Sequence, residues 1–167
     1  MPRLRPHHQP RTDAVMISFT VHGNPAPQGS KIRTRYSMRE SSEAVMPWRE
    51  AIKAAIHVQD IPCTPGPVFV SITFRFERPK SHYGTGKNAS RLKPSADPYP
   101  VGRQRGDIDK LERSSFDALT QGGAITDDAY IVRNLTAKVW CGPAERAGAT
   151  ICIAPMRTAP DNDGSQP

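Results

Sequence analysis

Hydrophobic and polar residues alternate over two stretches of the chain. In the first, Ile17, Phe19 and Val21 point to one side, and the most regular alternation runs from Val68 to Phe76. Successive side chains of a strand point to opposite faces of a sheet, so this period of two indicates strands with a buried face. With two further strands added, the predicted set is residues 16–22, 66–76, 131–140 and 149–154.

Two other stretches carry apolar residues at spacings of three and four, the period of a helix that buries one side. The first helix is predicted over residues 42–58, with Ser42 as its N-cap. Pro47 is tolerated only in a first turn, which moves the expected start towards Met46. The second helix is predicted over residues 109–119. Its inward side is expected to consist of Ile108, Leu111, Ser115, Phe116 and Leu119.

The order of these elements is β-α-β-loop-α-β-β, which predicts a single α/β (α+β) domain at residues 15–156. Its mixed sheet is expected to have about four strands and to carry two main helices. A basic loop without regular structure is expected from 77 to 106, a length that is uncommon unless the loop is functional or mobile. The basic, proline-rich residues 1–14 predict a disordered arm, and residues 157–167 predict a disordered tail.

The charge of the chain narrows the choice of partners. It carries 23 Lys and Arg against 16 Asp and Glu, a net charge of +7, which favours a nucleic acid. Three widely spaced cysteines fit neither a zinc site nor a disulfide framework. No stretch approaches the roughly 18 apolar residues of a membrane span, and the N-terminus lacks the apolar segment of a secretory signal. A soluble, cytoplasmic protein without membrane contact is therefore expected.

Acidic residues occur in two motifs, G-D-I-D at residues 106–109 and D-D at residues 127–128. Hydrolysis of a phosphodiester needs an activated water and neutralisation of charge, and Mg²⁺ held by hard oxygen ligands supplies both. Asp107 and Asp109 can point to one side because the chain is extended at the junction of loop and helix. Asp128 is expected to return to the same place once the helix packs on the sheet. Clustered acids usually signal a divalent cation, so a Mg²⁺ site is predicted.

Each acidic motif alone also fits a purely structural role. Asp109 and Glu112 match an Asp-x-x-Glu form of the helix capping box. Asp127 with Asp128 fits an ordinary turn in which Asp bonds its own backbone. Together, in a basic chain and beside an arginine-rich loop, the two motifs favour the metal site.

A resemblance to the RusA family of Holliday-junction resolvases, the crossover junction endodeoxyribonucleases, lies in the stretch GDIDKLERSSFDALTQGGAITDDAYIVRNLTAKVW. The family's pattern is an acidic D-x-D, a helix ending in D-A-L, a short turn, D-D, and a strand with a basic residue near its end. The earlier stretch GNPAPQGSK is similar to the family's G-x-P-x-P-x-G motif. The resemblance touches most of residues 16–154 and is specific over about 107–138.

The resemblance implies a homodimer of mixed α/β fold that makes paired nicks in four-way DNA junctions during recombination and repair. It implies a dependence on Mg²⁺, for which Mn²⁺ can substitute. It also implies that the metal ligands are Asp107, Asp109 and Asp128, with Asp127 as a support. The resulting hypothesis is that these acids hold one or two Mg²⁺ ions, which activate water for in-line attack and stabilise the leaving oxygen.

The chain departs from the family at a functional lysine four residues after the second acid. Arg113 stands there, and arginine keeps the charge but does not release a proton. Lys110 occupies a position where many relatives carry Asn, and it can take over the role of that lysine. A catalytic role is therefore expected for Lys110 or Arg113.

Contacts to DNA phosphates are expected from basic residues around these motifs. The candidates are Lys31, Arg33, Arg35, Arg39, Arg103, Arg105 and Lys138. Trp48 is assigned to the core rather than to base stacking. Two alternatives stay open: another metal-dependent nuclease acting on flaps, RNA or ordinary duplex, and a non-catalytic DNA-binding protein whose acids only cap helices.

Overall fold

A computed structural model describes residues 15–29, 31–33, 38–40 and 43–156. The predicted arm at residues 1–14 and the predicted tail at residues 157–167 lie outside these ranges. So do Ser42 and Arg35, and only the backbone is described for Lys31, Arg33 and Arg39.

A four-stranded mixed sheet forms the centre of the domain, as predicted. Its strands are β1 (Ile17–His22), β4 (Val68–Phe76), β5 (Ile131–Trp140) and β6 (Gly148–Pro155), in the spatial order β1-β6-β4-β5. β4 is parallel to β5, whereas β6 is antiparallel to both β1 and β4. Two short strands, β2 (Lys31–Arg33) and β3 (Met38–Glu40), form a separate antiparallel hairpin.

Two helices of 14 residues each, α1 (Val45–Val58) and α2 (Ile108–Gln121), pack against this sheet and against each other. The N-cap of α1 is Ala44, so the expectation that Ser42 caps this helix is wrong, while Pro47 lies in the first turn as predicted. No helix in the described part of the chain is long and apolar enough to cross a membrane.

The core lies between the two helices and one face of the sheet. The alternating residues of β4 from Val68 to Phe76 are all buried there, as the sequence predicts. Trp48 is 1% exposed, and its indole N–H donates to Ser115 Oγ at 3.1 Å, which confirms its place in the core. Ile108 is 41% exposed, so its expected place on the inward side of α2 is wrong. The residues of α2 that are buried are Leu111, Ser114, Ser115, Ala118 and Leu119.

The long loop between β4 and α2 contains three short 3₁₀ turns and one isolated antiparallel bridge between Tyr83 and Leu92. It has no longer helix or strand, as expected from its sequence. It is anchored to the end of β5 at Trp140, whose indole N–H donates to the carbonyl of Asp97 at 2.9 Å. The guanidinium groups of Arg78 and Arg105 each lie 5.2 Å from the centre of the Trp140 ring, and the His82 ring meets its edge. These contacts hold the loop beside the start of α2.

β5 forms one edge of the sheet, and no described strand pairs with its outer side. Val132 is 59% exposed and Leu135 is 64% exposed, although both are apolar. A long edge strand with exposed apolar side chains is a surface that proteins usually cover.

Candidate metal site and nucleic-acid interface

Asp107 is the N-cap residue of α2, and its extended backbone carries the chain from the loop into the helix. Its carbonyl accepts the first helical hydrogen bond, from Leu111 N at 3.1 Å, while its side chain caps no N–H group of the described helix. The carboxylate instead pairs with the Lys110 ammonium at 3.1 Å. Asp109 lies inside the first turn, so the capping-box alternative with Asp109 as N-cap is wrong. Both carboxylates are left exposed at the head of the helix.

The turn that presents Asp107 is fixed from two sides at Gly106. Its φ of +71° favours glycine, and a Cβ at this position would lie 2.7 Å from the ring of Pro27. Lys138, near the end of β5, donates from its ammonium to the Gly106 carbonyl at 2.9 Å. The side chain of Lys138 therefore faces the head of α2.

The Gly/Pro-rich segment after β1 packs along the first turns of α2. Ala26 is buried, and its carbonyl accepts from Ser114 Oγ at 2.7 Å. Gln28 N donates to the Lys110 carbonyl at 3.0 Å. Segment and helix enclose a cleft of about 360 Å³, lined by Pro27, Gln28, Gly29, Arg103, Gly106, Asp107 and Lys110.

Gln28 is a residue that the sequence did not single out. Its side-chain oxygen is buried and has no hydrogen-bond partner among the described residues. A single amide side chain in a segment rich in Gly and Pro gives no sequence pattern from which its place in the cleft could be predicted.

Asp128 lies at the other end of α2, in the 3₁₀ turn Asp128–Tyr130 that precedes β5. Asp127 accepts a hydrogen bond from Ala129 N at 2.8 Å, so the turn interpretation holds for Asp127. Burial raises the pKa of Asp128, and the hydrogen bond and charge of Asp127 and the charge of Asp117 raise this pKa further. Asp117 is itself paired with Arg49 at 2.5 Å.

Asp107 and Asp109 both lie at the start of α2, whereas Asp128 lies in the turn that precedes β5. The acids that act on Asp128 are Asp127 and Asp117, and Asp117 lies about 12 Å beyond Asp109 along the helix axis. Over the ranges that the structure describes, no three His, Cys, Asp or Glu side chains are grouped as a metal site would require. Within the described part of one chain, Asp128 therefore forms no such group with the other two acids, and its role as a metal ligand stays a prediction.

Basic side chains surround the head of α2. Arg103 lines the cleft, and Arg105 stacks between the ring of Trp140 at 5.2 Å and the ring of Phe76 at 5.8 Å. Arg113 is exposed one turn further along α2. Lys110 forms an ion pair with Asp107, and Lys138 contacts the neighbouring Gly106.

The donor set at the head of α2 suits a hard cation. Asp107 and Asp109 supply carboxylate oxygens, and Gln28 supplies a buried amide oxygen that has no partner among the described residues. Mg²⁺ is commonly held by one or two carboxylates, with water and substrate phosphate as its other ligands. These residues therefore fit Mg²⁺, or Mn²⁺ in its place.

Fold and site together define a mixed α/β protein with paired carboxylates at a helix start, framed by basic side chains. The family model described as Endodeoxyribonuclease RusA matches residues 22–153. The chain belongs to this family of DNA-cleaving hydrolases, which confirms the resemblance seen in the sequence. Among curated proteins, none matches the chain.

Proposed function

We propose that the protein is a Mg²⁺-dependent endonuclease that resolves four-way DNA junctions by paired cleavage, acting in recombination and repair in the cytoplasm. The observation that carries this proposal is the family match over residues 22–153. This range includes the exposed acids Asp107 and Asp109, and Asp107 lines a cleft together with Arg103 and Lys110. Mn²⁺ is expected to replace Mg²⁺ because both prefer oxygen ligands.

Asp107 and Asp109 hold the cation at the head of α2. When bound, Mg²⁺ neutralises charge on the phosphate and polarises the attacking water. Lys110 keeps Asp107 in place through their ion pair, and it is closer to that acid than the exposed Arg113. Lys110 therefore takes the role of the family's lysine, while Arg113 binds a neighbouring phosphate.

DNA phosphates bind along the basic surface around this cleft. Arg103 lies in the cleft itself, and Arg105 is held on the Trp140 ring next to it. Four further phosphate contacts come from Lys31, Arg33, Arg35 and Arg39. Each such contact adds affinity that falls with increasing salt, whatever the sequence of the DNA.

The active form is a homodimer in which β5 of one copy pairs antiparallel with β5 of a second copy. This edge is long and its outer side has no partner among the described strands, and Val132 and Leu135 are exposed on it. Antiparallel pairing of the two β5 strands about a two-fold axis extends the sheet across both copies. The same pairing covers these side chains in both copies.

Such a dimer also brings the three acids together. α2 runs antiparallel to β5, since Asn134 contacts Glu112 and Lys138 contacts Gly106 further along the strand. The turn with Asp128 precedes β5. Antiparallel pairing therefore places Asp128 of the second copy near the end of β5 in the first copy, and so near the head of α2 in the first copy. Each site then combines Asp107 and Asp109 of one copy with Asp128 of the other. Two such sites, related by symmetry, suit paired nicks.

Cleavage of matched DNA substrates tests the function. Wild-type protein and Asp107→Asn are incubated with four-way, three-way and linear DNA at equal salt, with Mg²⁺ or with a chelator. We expect the wild type to cut the four-way junction only with Mg²⁺, and Asp107→Asn to bind this junction without cutting it. Equal cleavage of all three substrates would favour a nuclease without junction preference. Binding without cleavage at any Mg²⁺ concentration would favour a DNA-binding protein.

A further inference from the structure

The side-chain oxygen of Gln28 is a buried hydrogen-bond acceptor that has no partner among the described residues, in the cleft that also contains Asp107. Buried polar atoms in native proteins are nearly always paired, so an orphan acceptor at this place calls for a ligand. The amide oxygen has the chemistry of a hard ligand and carries no net charge.

The position of Gln28 is set by the fold rather than by a loose loop. Its own N–H donates to the Lys110 carbonyl at 3.0 Å. The preceding Pro27 closes on Gly106, and Ala26 before it accepts from Ser114 at 2.7 Å. The segment is therefore tied to the same turns of α2 that present the two acids.

The Gln28 side-chain oxygen is an acceptor, which limits the kinds of ligand that can bind it. A phosphodiester offers only acceptor oxygens, which cannot bond an amide oxygen. The ammonium of Lys110 pairs with Asp107 at 3.1 Å and donates no hydrogen bond to the Gln28 side-chain oxygen. A divalent cation, or water of its hydration shell, is a partner that an amide oxygen can bind.

We propose that Gln28 is a positioning residue of the cation site, and that its amide oxygen binds the Mg²⁺ held by Asp107 and Asp109, directly or through the hydration shell. This inference rests on the proposed function, because it takes that cation as given. A neutral ligand strengthens the site without adding repulsion to the two carboxylates or to an approaching phosphate. The Gly/Pro-rich segment thus contributes a chemical group to the site, in addition to packing on α2.

Mn²⁺ binding to the full chain without DNA, measured by electron paramagnetic resonance, tests this role independently of activity. Gln28→Met keeps the length of the side chain and removes its oxygen, and Gln28→Glu keeps an oxygen. Gln121→Met, the same change at an exposed residue at the far end of α2, serves as the matched control. Asp107→Asn tests the cation site itself.

Gln28→Met is expected to raise the Kd for Mn²⁺ about 10-fold. Gln28→Glu is expected to leave this Kd unchanged or to lower it. Gln121→Met should leave the Kd unchanged, and Asp107→Asn should abolish binding. In a chelator, Gln28→Met should melt at or above the wild-type temperature, because the orphan acceptor is gone.

Two results would overturn the inference in different ways. If Asp107→Asn abolishes Mn²⁺ binding while Gln28→Met leaves the Kd unchanged, the role of Gln28 is wrong and the proposed function stands. If the wild type binds no Mn²⁺, or Asp107→Asn binds it normally, the cation site of the proposed function is wrong and the role of Gln28 falls with it. If Gln28→Met does not fold, Gln28→Glu decides, and a Kd raised about 10-fold in that variant would contradict the inference.

Discussion

Lys138 and Gly106 are joined by a hydrogen bond of 2.9 Å from the lysine ammonium to the glycine carbonyl. This bond links the end of β5 to the turn from which Asp107 emerges. It connects the edge strand, where we place the dimer contact, with the cleft, where we place the cation.

Replacement of Lys138 by Met is expected to slow junction cleavage, because the turn before Asp107 loses its support. Misplacing a catalytic group by about 1 Å can cost a factor of about 100 in rate, so a loss of 10- to 100-fold is expected. Lys138→Arg, which keeps a donor, should recover part of the rate. Single-turnover cleavage with saturating protein measures this loss, and a wild-type rate for Lys138→Met would contradict the assigned role.

The pKa of Asp128 is raised by burial first and by its acidic neighbours second, which predicts a pH-dependent stability. The native state holds this proton more tightly than the unfolded state, so stability falls as pH rises above the ordinary value of 3.8. Ionised Asp128 thus destabilises the metal-free protein at neutral pH. Its effect is small because the side chain is largely screened by solvent.

Asp128→Asn is therefore expected to raise the melting temperature in a chelator at pH 7, by about 1 °C. The difference from wild type should vanish below the ordinary pKa of 3.8, where Asp128 is protonated in both states. Differential scanning calorimetry across this range measures it. If Asp128→Asn were less stable than the wild type at pH 7, the ionised Asp128 carboxylate would stabilise the native state, which would contradict this prediction.

Trp140 holds the loop 77–106 through two cation–π contacts and one hydrogen bond. Each cation–π contact contributes about 0.5–1 kcal/mol and the hydrogen bond about 1 kcal/mol. Trp140→Leu removes all three, so local opening of the loop should increase by about 10-fold or more. Trp140→Phe keeps an aromatic face and should open less.

Limited trypsin digestion measures this opening directly, because Lys80, Lys87 and Arg91 lie within the loop and none of them precedes a proline. Cleavage within the loop should be fastest in Trp140→Leu and intermediate in Trp140→Phe. Equal cleavage rates in all three proteins would mean that the loop is held by other contacts.

Much of the fold follows from the sequence because its strands bury one face. β4 shows this best: its buried residues are those that the period of two selects, from Val68 to Phe76. The hairpin of β2 and β3 was not predicted, since strands of three residues such as Lys31–Arg33 are too short to show a period. Ile108 fits the apolar spacing of α2, yet it is the first residue of the helix and its side chain is exposed.

The candidate site was predicted only in part. Asp107 and Asp109 are two residues apart, so their shared position at a helix start follows from the local sequence. Asp128 follows a helix of 14 residues, about 21 Å long, and the turn after such a helix lies far from its beginning. Gln28 lies close to Asp107 through tertiary packing, which no local pattern encodes.

Leu135 on the edge of β5 provides a test of the dimer. Leu135→Lys puts two like charges near the proposed two-fold axis and should raise the dimer Kd by about 10-fold or more, since charges on edge strands oppose pairing. Val58→Lys is the control, because Val58 is also exposed, at 80%, but ends α1 away from this edge. Analytical ultracentrifugation measures both, and an unchanged dimer in Leu135→Lys would place the contact elsewhere.

The central claim is that DNA is cut by Asp107 and Asp109 of one copy acting with Asp128 of the other. A mixture of Asp107→Asn and Asp128→Asn, refolded together, tests it most directly. Each variant alone should be inactive with Mg²⁺, whereas a mixed dimer has one intact site and should nick one strand of a four-way junction. A mixture as inactive as either variant alone, beside an active wild type, would contradict the account.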